Sequence, residues 1–123
     1  MITNSDCLNI EIIGKDLIQK IKFKDGKYYT GSNKPIDSRD DIENLDFGDI
    51  YDEDNILYYR GQFRNIKYYG EITPYGYGIQ YFDNFYYEGY FVNGLFHGYG
   101  EIIDLKTRKI IFSGEFKDNN KCY

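Results

Sequence analysis

The chain has 123 residues, a formal net charge of −5, 15 tyrosines, 9 phenylalanines and no tryptophan. A single domain of this length buries roughly two-thirds of its unfolded surface and needs no staples to fold. The acidic balance counts against nucleic acid and against an anionic membrane, both of which select clustered lysine and arginine, and favours a basic protein surface as partner.

Two cysteines, Cys7 and Cys122, sit near opposite ends of the chain and form neither a disulfide framework nor a CxxC metal spacing. They read as ordinary thiols in a reducing compartment. The opening MITNSDCLNI lacks the basic and apolar regions of a signal peptide. No stretch reaches the roughly 18 apolar residues that a membrane span needs. The expected location is the cytoplasm. Heavy use of Ile, Lys, Asn and Tyr fits AT-rich coding, as in an AT-rich microbe, a protist or a large virus; if virus-encoded, the chain is expected in the host cytoplasm.

In chain order, residues 1–32 alternate apolar runs with turns. Leu8–Ile13, Leu17–Phe23 and Lys27–Gly31 are expected strands, separated by Gly14-Lys15-Asp16 and Asp25-Gly26. A short helix over Leu17–Lys22 competes for the second. This part is either repeat or cap. Residues 33–56 read as an acidic insertion, with nine carboxylates between Asp37 and Asp54 against Arg39 alone. Ser38 can cap a short helix over Arg39–Leu45, with Asp41 three residues on. Phe47-Gly48-Asp49-Ile50-Tyr51 then looks like a degenerate half-motif feeding Leu57–Tyr59.

Residues 57–123 repeat themselves. Tyr87-Glu88-Gly89-Tyr90-Phe91 opens a unit that returns upstream as Tyr59-Arg60-Gly61-Gln62-Phe63. It returns downstream as Phe112-Ser113-Gly114-Glu115-Phe116, and more weakly as Tyr29-Thr30-Gly31. Alternation sends Tyr87, Gly89 and Phe91 to one face and Glu88, Tyr90 and Val92 to the other. Asn93-Gly94 is a type I′ hairpin turn, which needs positive φ at both central residues. The return strand sets Phe96, Gly98, Gly100 and Ile102 on one face. Its glycines leave a gap against bare backbone that aromatic rings of the adjacent unit are expected to fill. Hairpins of this kind follow one another as an all-β meander, each burying its face against its neighbours. Extra residues at 65–74 lengthen one hairpin, and Pro74 is assigned to an edge or loop. The last unit's second strand is short or absent, which leaves an open strand edge.

The segment 87–100, YEGYFVNGLFHGYG, resembles the MORN (membrane occupation and recognition nexus) repeat, whose unit reads approximately YEGxWxNGxxHGxG, with Phe91 where that family usually has Trp. YRGQF at 59–63 with YGYG at 75–78, and FSGEF at 112–116, carry parts of it. The resemblance implies a single-layer antiparallel β-meander of consecutive hairpins. Its structural motif falls on Tyr59, Gly61, Tyr87, Gly89, Asn93, Gly94, His97, Gly98, Gly100 and Gly114. Members of the family serve as assembly modules and associate with themselves, which implies a homodimer through the C-terminal strand edge.

No catalytic set emerges. His97 is the only histidine; it reads as a hydrogen-bonded packing residue, with no nucleophile or orienting acid beside it. The acidic run lacks the spacing of a calcium loop, and there is neither a glycine-rich phosphate loop nor a serine elbow. No cofactor or metal is expected. The expected function is a non-enzymatic protein–protein interaction module, a scaffold or adaptor with a concave aromatic surface. Tyr68, Tyr69, Tyr75, Tyr77, Tyr90 and Tyr99 exceed what a thin sheet can bury and form the candidate partner face. As an alternative, Asp40, Asp41, Asp52, Glu53 and Asp54 would cover a basic surface of a target, as in a small inhibitor, an immunity-type protein or a virus-encoded blocker. Association with a phospholipid surface, which the family name suggests, is opposed by the charge.

Overall fold

Period-2 alternation of aromatic and polar residues, punctuated by turn residues, demands extended backbone with one buried face. The computed structural model describes residues 11–13, 20–23, 26–30, 45–64 and 73–122. They form ten strands: β1 (Glu11–Ile13), β2 (Lys20–Lys22), β3 (Tyr28–Thr30), β4 (Phe47–Tyr51), β5 (Leu57–Arg64), β6 (Thr73–Tyr81), β7 (Phe85–Val92), β8 (Leu95–Asp104), β9 (Ile110–Lys117) and β10 (Asn120–Cys122). All lie in one sheet in chain order, every pairing antiparallel. The expected all-β single-layer meander is therefore the fold, and the described residues contain no helix. Lys20–Lys22 is strand rather than helix. The helix expected from Arg39 lies outside the described residues.

The turns follow their residues. Asn93 and Gly94 take φ of 50° and 82°, the type I′ pair. Asp118 and Asn119 repeat the geometry at 48° and 72°, joining β9 to the three-residue β10. Between β4 and β5, Asp52 Oδ1 accepts the Asp54 and Ile56 N–H groups at 2.9 and 3.0 Å, an Asx-type organisation.

The register explains why glycine and tyrosine recur together. Gly48, Gly61, Gly78, Gly89, Gly100 and Gly114 stand opposite one another on consecutive strands from β4 to β9. They form a trough straight across the sheet. On one side of it runs the row Tyr29, Ile50, Tyr59, Gln80, Tyr87, Ile102, Phe112. On the other stand Phe63, Phe91 and Phe116, each two residues past a trough glycine.

Tyrosine rings lie down across this trough instead of standing upright. A Cβ at Gly78 would collide with the Tyr59 ring, one at Gly100 with Tyr87, and one at Gly48 with Tyr29. Each hydroxyl crosses to a main-chain carbonyl: Tyr29 donates to Phe47 at 3.0 Å, Tyr59 to Gln62, and Tyr87 to Tyr90 at 2.8 Å. Tyr59 and Tyr87 are 0% exposed and Tyr29 1%, although the sheet has a single layer. Burial of this kind contributes about 1.5–3 kcal/mol per ring.

The gap is thus filled from within the hairpin, not from the adjacent unit as the alternation suggests. Tyr87 on β7 covers Gly100 on its own partner strand because the two are diagonal neighbours. The adjacent unit supplies the next layer. Phe63 meets the Tyr29 ring edge-to-face at 5.7 Å, Phe91 meets Tyr59 at 5.4 Å, and Phe116 meets Tyr87 at 5.2 Å. Each unit's tyrosine is therefore locked by the following unit's phenylalanine, a nearest-neighbour coupling.

Pro74 departs from its assignment to an edge or loop. It is buried in β6, opposite Phe63. The strand accommodates it because the neighbouring turn, not a strand, lies along that stretch: Gly94 N–H donates to the Pro74 carbonyl at 2.8 Å. One unit later, Asn119 N–H donates to the Phe96 carbonyl at 2.9 Å, and Phe96 N–H donates to Asn119 Oδ1 at 2.8 Å. Where the strand residue lacks a donor the docking turn carries glycine; where it has one, the turn carries asparagine.

The buried hydroxyls give the fold an alkaline limit. Burial raises Tyr29 and Tyr87 from 10.0 to about 12, and raises Tyr59 further. Between those limits the folded state holds protons that the unfolded state releases, so stability is intact below pH 10 and falls as pH climbs toward 12. Ultraviolet titration of tyrosinate should show a lagging group of tyrosines that ionises together with loss of the near-ultraviolet circular dichroism. Ionisation of every tyrosine near pH 10 with the fold intact would contradict this burial.

Candidate functional site

With the trough face committed to the core, the alternate positions of the same strands point outward. Two rows cross this second face. One holds Asp49, Arg60, Ile79, Glu88, Glu101 and Ser113 in register. Beside it, Tyr77 pairs with Tyr90 across β6 and β7, and Tyr99 pairs with Glu115 across β8 and β9. Tyr77, Tyr90 and Tyr99 are 43%, 50% and 53% exposed, so consecutive strands present a band of open tyrosine.

Two of the rings, Tyr77 and Tyr99, are anchored through their hydroxyls. Tyr77 donates to Glu88 Oε2 at 2.7 Å, a bond that raises its pKa to about 12. Ser113 Oγ donates to Glu101 Oε2 at 3.2 Å, so the Tyr99 hydroxyl, 2.7 Å from Ser113 Oγ, is the donor in that pair. Tyr77 and Tyr90 pack edge-to-face with centroids 5.4 Å apart. Anchored tips at Tyr77 and Tyr99, and the ring contact at Tyr90, restrict the orientations of these side chains, so less rotamer entropy is lost on binding.

Arginines border the band. Arg60 holds Asp49 bidentately at 2.7 and 3.0 Å. The Arg64 guanidinium lies 3.2 Å from the centroid of the Tyr75 ring. Tyr75 therefore already carries a cation, unlike the open rings of the band.

Of the residues expected in the partner face, the structure brings Tyr77 and Tyr90 together, sets Tyr99 further along, and places Tyr75 under Arg64. Tyr68 and Tyr69 lie outside the described residues, as do Asp40 and Asp41 of the acidic patch. Asp52, Glu53 and Asp54 form the β4–β5 turn with Lys27 nearby, around a shallow depression. There Asp52 is spent on the turn's own N–H groups. A Cβ on Gly26 would fall 2.5 Å from Glu53 Cγ, so Glu53 packs against that turn.

His97 faces the β9–β10 turn. Its Nδ1 is 3.6 Å from Asp118 Oδ1 and has no hydrogen-bond partner. Asn119 has taken over the task of tying the β9–β10 turn to β8. Cys122 is an exposed free thiol.

Alternation sets Glu88 on the face of Tyr90, but sequence reasoning missed Glu101 and Glu115 as members of this face. Each of these two follows a trough glycine (Gly100 or Gly114), and that adjacency was the available signal. Among the described residues no helix is long and apolar enough to cross a membrane. Compared with known proteins, the chain matches no family model and no curated relative.

Proposed function

We propose that this chain is a MORN-type, non-enzymatic protein-interaction module that binds its partner on the band Tyr77, Tyr90 and Tyr99. The observation that carries the reading is a division of labour among tyrosines on one strand. Tyr87 is fully buried in the trough, whereas Tyr90, three residues on, is half exposed on the opposite face. Large tyrosine rings left open to solvent are the residue type that anchors interfaces. The motif at 87–100 and its partial copies support the family assignment.

The test is affinity capture from the native lysate with wild type and with the Tyr90→Ser/Tyr99→Ser double variant. A stoichiometric protein partner held by wild type and lost by the variant, at a melting temperature within about 2 °C of wild type, is the expected result; exposed substitutions of this kind stay within about 0.5 kcal/mol. Retention of the partner by the variant would move the binding surface elsewhere.

A second reading rests on the sheet edge. β10 pairs with only Glu115–Lys117 of β9, and Ile110 and Ile111, in the stretch of β9 that β10 does not reach, are 58% and 56% exposed. A second copy adding a strand there would form a homodimer by main-chain hydrogen bonding. Sedimentation equilibrium of wild type against Ile111→Lys separates the two readings, since the band does not require a dimer.

A further inference from the structure

The geometry points to an arginine-bearing extended segment of a partner protein as the ligand of the Tyr77–Tyr90–Tyr99 band. This rests on the reading of that band as the binding face, and it specifies the chemistry of what binds there.

The first observation is the charge on this face. β6, β7 and β8 contain no lysine or arginine. Glu88 and Glu101 stand directly opposite each other on β7 and β8, and Glu115 stands opposite Tyr99. Like charges facing each other across a ladder are unfavourable. Among the described residues, the side-chain donors to Glu88 and Glu101 are the neutral hydroxyls of Tyr77 and Ser113. A cation over this row would relieve that repulsion.

The second observation concerns which cation. Where an arginine is in reach, the protein seats it on a tyrosine: the Arg64 guanidinium lies 3.2 Å from the Tyr75 centroid. Where a carboxylate is in reach, arginine engages it with two parallel bonds, as Arg60 does with Asp49. The band offers both partners together, open ring faces beside a carboxylate row. A planar guanidinium can stack on one while its edge binds the other, which the compact ammonium of lysine does less well.

The spacing favours an extended ligand. Tyr77 and Tyr99 lie on β6 and β8, two strand intervals apart, about 9.6 Å. In a polyproline II segment, residues three apart rise about 9.3 Å. Arginines at every third position therefore match rings on alternate strands.

The experiment is fluorescence anisotropy with a labelled (Arg-Pro-Pro)4 peptide, and with the same peptide carrying citrulline, a neutral isostere, in place of arginine. The arginine peptide should bind at least tenfold more tightly than the citrulline peptide, with the lysine version in between. The Glu88→Gln/Glu101→Gln/Glu115→Gln variant should lose at least tenfold in affinity while melting no lower than wild type, since glutamine still accepts the Tyr77 and Ser113 hydrogen bonds. Equal binding of arginine and citrulline peptides, or unchanged binding by the triple variant, would overturn the inference. If Tyr90→Ser/Tyr99→Ser releases the captured partner and the triple variant retains it, the binding face stands and the arginine ligand falls.

Discussion

Replacing Gly100 with alanine should destabilise the protein by about 2–3 kcal/mol, the upper range for overpacking a filled core. For a chain of this size that is a fall in melting temperature of roughly 10 °C. Gly100 is not among the glycines with positive φ, so the backbone would accept alanine and the cost is steric. The added Cβ would meet the tip of the Tyr87 ring. That ring cannot retreat: it lies flat on Phe96 at 3.9 Å, meets Phe91 and Phe116 edge-on, and is held by the Tyr90 carbonyl. Gly98→Ala is the control. Its φ of 77° carries backbone strain, but its Cβ would lie 3.6 Å from Tyr90 Cβ, an ordinary contact; a cost of about 1 kcal/mol is expected there. Thermal melts decide between them, and a Gly100→Ala shift no larger than that of Gly98→Ala would sink the trough account.

Phe91→Ala is the second large effect, with an expected cost of about 3–5 kcal/mol. Phe91 is 1% exposed and touches Tyr59 at 5.4 Å, Tyr87 at 5.1 Å and Phe96 at 5.7 Å. It is the ring through which the unit beginning at Tyr59 is locked to the one beginning at Tyr87. Because each unit is coupled only to its neighbours, its removal should do more than lower the denaturation midpoint. The urea transition should broaden and its slope fall, as the two halves of the sheet unfold out of step. A sharp transition with a midpoint close to wild type would show that the coupling runs through other contacts.

Much of this fold was legible in the sequence because a hairpin is local. Asn93-Gly94 fixed one turn, and alternation along Tyr87–Val92 fixed which residues face the core. The half-motif at Phe47–Tyr51 was also readable, and Gly48 indeed lies under Tyr29 as Gly78 lies under Tyr59. What sequence could not supply was register. The trough exists because glycines separated by different loop lengths arrive opposite one another, and bulges between Gly61 and Phe63 and between Gly89 and Phe91 adjust the strands around them. Pro74 was misplaced for the same reason, since its tolerance depends on a turn that belongs to the next unit. The candidate site was legible in part. Exposed Tyr77, Tyr90 and Tyr99 followed from counting tyrosines against a thin sheet, but the carboxylate row beside them is assembled from separate strands and becomes visible only once those strands are paired.

One face of the sheet holds the fold together, while the other leaves Tyr77, Tyr90 and Tyr99 open to solvent. The most direct measurement is a pair of thermal melts, Tyr87→Ser and Tyr90→Ser, three positions apart on β7 and on opposite faces. Tyr87→Ser should cost about 3–5 kcal/mol, as for deletion of a buried ring, and Tyr90→Ser less than about 0.5 kcal/mol. Equal losses at the two positions would contradict the division and return Tyr90 to the core.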